Sequence, residues 1–151
     1  MMVLSRRYAV VLGSLSLLFS LRVAGQLVVA VVDVGFLPPF DEWQSGLLPY
    51  PLLVASQIAI LIAMAVIINN FIRGHGFFVT LGARTSQSLR MLATVYFVSM
   101  IVRYIAMMAL YPELLWFTGT IPIWFHFVLA GFLYTLGHYQ IGRDEIKVGA
   151  I

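Results

Sequence analysis

Five polar side chains stand where so apolar a chain tolerates them least. Arg22 and Arg103 interrupt long hydrophobic runs, Gln26 follows Arg22 by one helical turn, and Gln57 and His126 fall just inside two further runs. A guanidinium near the centre of a membrane helix costs about 2.5–3.5 kcal/mol, so each arginine calls for a compensating partner. Arginine offers a rigid fork of donors that matches a carboxylate or a phosphate, and Gln and His add hydrogen bonds able to orient such a group. The chemistry this set suits is capture of an anionic or carbonyl-bearing headgroup, such as a lipid phosphate, an isoprenoid phosphate or a quinone. The same letters also allow a purely structural network, in which Asp33 or Glu113 neutralises an arginine and the amides tie helices together, or a face turned toward a partner subunit.

The elements that must position these residues are four apolar spans, read at about 8–34, 51–72, 89–110 and 122–141. Each exceeds or matches the ~20 residues needed to cross ~30 Å of hydrocarbon. The breaks are rich in Pro and Gly: Pro38, Pro39, Gly46 and Pro49 in the first, Gly74, Gly76 and Gly82 in the second, Pro112 and Gly119 in the third. Pro51 and Pro122 suit the first turn of a helix, where a missing N–H costs nothing. Counted at 1.5 Å per residue, Arg103 lies about 12 Å inside the outer end of its span, Arg22 about 18 Å, Gln57 about 9 Å and His126 about 6 Å. Each span thus contributes to one polar layer.

Helical phase groups Arg22 with Gln26 and Asp33 on one face, while Ser16, Ser20 and Ala24 form a small-residue stripe roughly opposite. Tyr96, Ser99 and Arg103 align on the third span. His126, Ala130, Leu133 and Gly137 align on the fourth, with His138 about 120° away. The connection from Phe36 to Trp43 is amphipathic and suits a cap lying along the interface, with its aromatics, Trp116 and Trp124 at headgroup level.

Composition frames this reading. The 151 residues are 62% hydrophobic and 10% charged, with a mean hydropathy of +0.98, against roughly 45–50% and 25% in soluble domains. An ordinary soluble fold is excluded. Arg6, Arg7, Arg73, Arg84, Arg90, Arg143 and Lys147 flank the spans on one side, whereas the first and third connections hold no Arg or Lys. The positive-inside rule then predicts an up-down-up-down four-helix transmembrane bundle, all-α and a single domain, with both termini cytoplasmic. The default location is multi-pass in the cell inner (cytoplasmic) membrane. Ser5-Arg6-Arg7 followed by apolar residues up to Val23-Ala24-Gly25 has the outline of a signal peptide. The run continues past Gly25 and Arg22 sits beside the would-be cleavage point, so a permanent span is expected.

Other chemistries can be set aside one by one. There are no cysteines, which removes disulfides, thiolate metal sites and thiol nucleophiles. Basic residues are not clustered with aromatics, so no nucleic acid is expected as a partner. No HExxH, phosphate loop or G-x-S-x-G elbow occurs, and no metal site is expected. Haem could be held only by His75 and His138, since His126 and His138 lie on one helix and point apart. A pore would need a repeated polar face, whereas the polar letters here occupy one layer.

Leu21-Arg22-Val23 and Val102-Arg103-Tyr104 give a faint echo between the halves, too thin for a duplication. In size and helix count the chain resembles several families of small four-span bacterial membrane proteins, the DoxX-like group among them, and this likeness of hydropathy brings no function with it. The leading expectation is a non-catalytic protein binding a membrane lipid or other amphipathic anion in the outward half, through Arg22, Gln26, Gln57, Arg103 and His126. The alternatives are an accessory subunit of a larger membrane complex or homo-oligomer, and a membrane-embedded enzyme or transporter using the same layer.

Overall fold

A computed structural model of the chain describes residues 2–32, 35, 37–43, 48–110 and 121–148. The described residues are helical almost throughout. Helix α1 spans Met2–Val31, α2 Tyr50–Arg73, α3 Ala83–Leu110 and α4 Ile121–Val148, and short 3₁₀ turns lie at Phe40–Trp43 and Phe77–Val79. All four helices are long and apolar enough to cross a membrane, consistent with a small polytopic membrane protein. Large apolar side chains on their outer faces are exposed, among them Val10, Leu17 and Leu21 on α1 and Met91, Val95 and Val102 on α3. A soluble monomer rarely exposes apolar surface so continuously, whereas lipid solvates it.

Several helix ends run past the spans read from hydropathy, whereas α1 ends at Val31, three residues short of the 34 read for the first span. α1 takes in Arg6 and Arg7, α3 starts six residues before Leu89, and α4 continues beyond Ile141. Hydropathy marks where hydrocarbon ends, but the i to i−4 ladder stops only where a residue breaks it. One such stop closes α2. Gly74 adopts φ 72°, with its N–H bonded to the Phe71 carbonyl at 3.2 Å, a left-handed cap that glycine takes without penalty. Gly76 then turns at φ 120°, packed so tightly that a Cβ would run into the Asn70 side-chain amide.

Packing is uneven. α1 lies against both α2 and α4, α3 lies against α4, and α2 and α3 barely touch. The hydrophobic core therefore forms among α1, α2 and α4, around Leu12, Phe19, Met64, Phe71, Leu136 and Tyr139. Phe71 and Tyr8 each meet the Tyr139 ring edge-on, at centroid distances of 4.7 and 5.1 Å. The Phe77–Val79 turn closes this end. Val79 and Leu81 insert into the core, and the Val79 carbonyl accepts bonds from Gln140 Nε2 at 3.1 Å and Arg143 Nη1 at 2.7 Å.

The α3–α4 seam is built from small residues: Ser86 and Ala93 on α3 are buried against Ala130 and Gly137 on α4. Without a hydrophobic force between helices in lipid, such close approach supplies the dispersion that holds them. A duplicated two-helix unit would seat α3 on α2 as α1 is seated on α4; in this chain that place is a cleft.

Candidate functional site

The cleft between α2 and α3 widens, near the start of α2 and the last turns of α3, into a cavity of about 340 Å³. Four of the five residues singled out by sequence border it: Arg22 from α1, Gln57 from α2, Arg103 from α3 and His126 from α4. Four helices are needed to assemble that wall.

Arg22 is 6% exposed. Its Nη2 donates to the backbone carbonyl of Trp43, its guanidinium lies over the Phe125 ring at 5.9 Å, and its buried Nε has no hydrogen-bond partner among the described residues. An unmatched donor of a buried cation is costly in a low-dielectric setting. Neither α1, α2 nor α3 contains an Asp or Glu, so no carboxylate on these three helices can neutralise either arginine. The acids expected as counter-charges, Asp33 and Glu113, lie outside the described residues, as do the side chains of Asp41 and Glu42.

Gln26 does not reach the cavity. It is fully buried, and its Oε1 accepts a bond from Gln57 Nε2 at 3.0 Å. Its place is behind the wall, where it fixes the Gln57 amide. The Gln57 Oε1, in the cavity-lining residue, is buried without a partner among the described residues. Across the cavity, Tyr96 Oη is hydrogen-bonded to His126 Nδ1, and the two rings meet edge-on at 5.5 Å. Tyr96 stands two helical turns before Arg103 on α3, and both face the cavity. Ser99, expected on the same stripe, is exposed and bonds back to the Tyr96 carbonyl at 2.8 Å.

Other expectations divide in a similar way. On α4, His126 and Leu133 face the cleft, whereas Ala130 and Gly137 face α3. His138 is within 3.3 Å of Tyr8 Oη through Nδ1, and His75 is exposed beside the Gly74–Gly76 turn. No group of three metal-ligating side chains occurs among the described residues.

Trp43 is the residue whose place hydropathy did not show. Expected at headgroup level, it is instead 8% exposed, with Nε1 donating to the Pro38 carbonyl at 2.9 Å. Its ring lies so close to Gly25 that a Cβ there would come within 2.7 Å of it. That contact fixes the connection over α1 and presents the carbonyl that holds Arg22. The available signal was Gly25 itself, three residues after Arg22 and next to Gln26, a gap in the polar face wide enough for a ring. Trp124 is 60% exposed, and Trp116 lies outside the described residues.

No family model matches the chain, and no curated protein and no solved structure is significantly similar to it.

Proposed function

We propose that the protein binds an anionic amphiphile, such as a lipid, in the outward half of an up-down-up-down bundle of the cell inner membrane, with both termini cytoplasmic and without catalysing a reaction. The observation that carries this is the meeting of two arginines from separate helices on one cavity, the more buried of them with a donor unmatched among the described residues. Two like charges in a low-dielectric wall repel unless an anion stands between them. A phosphate or carboxylate would accept from both guanidiniums, while the amide of Gln57 and the Tyr96–His126 pair would bond its less charged oxygens or hydroxyls. Orientation rests on the seven basic residues that flank the spans on one side.

The test is native mass spectrometry of the protein purified in mild detergent, compared with Arg22→Gln and Arg103→Gln. A stoichiometric anionic lipid in the wild type, reduced in either variant while the bundle still inserts, is expected. Unchanged retention in both variants refutes the reading, and a ligand-free wild type turns attention to an accessory subunit of a larger complex.

A second reading is favoured by one feature, the hydrogen-bonded Tyr96–His126 pair beside the cavity. Such a pair can pass a proton, as an embedded enzyme or transporter would require. Tyr96→Phe separates the two: a binder still retains its ligand through the two arginines, more weakly by the lost hydroxyl bond, whereas a proton-moving protein loses turnover or transport altogether.

A further inference from the structure

The polar cavity does not end at Tyr96. Ile60, Tyr96 and Leu129 also form the near wall of a second hollow of about 420 Å³, which continues between α2 and α3 away from the arginines. Beyond those shared residues its walls are apolar: Ala63 and Ile67 from α2, Leu92 from α3, Leu133 from α4. One trough therefore changes from cationic to purely hydrocarbon along its length.

Its dimensions and openness match one kind of occupant. From Arg103 to Leu92 is eleven residues of α3, about 16 Å at 1.5 Å per residue. One leaflet of a ~30 Å hydrocarbon core is about 15 Å deep. The trough is also open on one side, because α2 and α3 barely touch and Ala63 and Leu92 are exposed. We infer that this groove holds the hydrocarbon chain of the amphiphile whose headgroup lies at Arg22 and Arg103, and that the ligand enters sideways from the bilayer between α2 and α3; the inference rests on the headgroup reading above. The chain lies along the bundle with its end near Ile67 and Leu133, one flank against α4 and the other against lipid. The short connection between α2 and α3 closes the inner end without closing the side.

Two probes and two kinds of variant test this. Binding of hexadecyl phosphate and of water-soluble butyl phosphate is measured by calorimetry on detergent-solubilised protein. Ala63→Trp and Leu92→Trp fill the groove from opposite walls, and both positions are exposed, so neither ring must enter a packed core. Each variant is expected to weaken hexadecyl phosphate about tenfold or more while leaving butyl phosphate within about twofold, tenfold being ~1.4 kcal/mol. Full-strength hexadecyl phosphate binding in both variants overturns the groove assignment, as does equal loss of both probes, which would place the introduced rings in the headgroup site. Arg22→Gln distinguishes the underlying reading: it must weaken both probes alike, and if it weakens neither, or the wild type binds neither, the headgroup site itself is wrong.

Discussion

Gly137 offers the sharpest test of how α3 is held. A Cβ placed there would lie 2.8 Å from the Ser86 carbonyl oxygen, 2.8 Å from Arg90 Cγ and 3.2 Å from the Arg90 nitrogen. Two of these atoms are backbone, so no rotamer change relieves the clash, and the helices must separate. Carbon–oxygen contacts between packed helices lie at about 3.3–3.6 Å, which sets the separation at about 0.5 Å. A radial gap of that size forfeits about a quarter of the dispersion at each seam contact. Overpacking of this kind costs about 1–3 kcal/mol. Gly131 on the same helix is the control, because a Cβ there would meet only Leu15 methyl carbons at 3.8 and 3.9 Å. Both sites are helical, so the gain of replacing glycine by alanine cancels in the comparison. Gly137→Ala should therefore be less stable than Gly131→Ala by about 1–3 kcal/mol in reversible SDS unfolding from mixed micelles followed by circular dichroism. Equal stability of the two variants would refute the close α3–α4 seam.

The other expectations concern the cavity and its supports. Gln57→Leu should cost about 0.6–1.7 kcal/mol, the range for hydrogen bonds between membrane helices, and Gln26→Leu/Gln57→Leu should recover most of it in the same unfolding assay; a double variant as weak as the sum of the singles would contradict the pairing. Trp43→Ala should release the connection and lower retention of co-purified lipid, whereas Trp43→Phe keeps an aromatic ring on Gly25 and retains more; native mass spectrometry ranks them. Gly76→Ala, at φ 120° and against Asn70, should destabilise the α2–α3 turn by about 1–3 kcal/mol, measured as earlier unfolding.

Much of this architecture is readable from letters alone because hydrocarbon is an unforgiving solvent. Twenty apolar residues in a row have one use, and the four helices follow from that. Arg22 and Gln26, one turn apart, are both buried, as a shared face implies. What phase cannot show is which neighbour a face meets. Gln26 points to the same side as Arg22 yet bonds to Gln57 rather than bordering the cavity. His126 and Gly137 share a stripe on α4, but α4 sits between two neighbours, and the stripe divides between the cleft and α3. Trp43 was illegible for a related reason: a tryptophan at a span's edge is usually anchored in headgroups, and only the fold brings Gly25 beneath it. The apolar groove has no signature at all, since Ala63, Ile67 and Leu92 would read identically against lipid or against a bound chain.

The uneven packing also has a bearing on how the protein is made. α3 leaves the ribosome before α4, which is the helix it leans on. At ~5–20 residues per second, the stretch from the end of α3 to the end of α4 takes about 2–8 s to synthesise. Throughout that interval α1 and α2 can already pair as a hairpin, while α3 waits in lipid with Arg103 facing neither cavity nor neighbour. A guanidinium in that position must reach for the interface or draw water inward. When α4 arrives it can complete the packing of α1 and α3 at once, since both rest on it in the finished fold. A nascent chain halted before α4 would leave α1 and α2 as a hairpin and α3 without the helix it packs against.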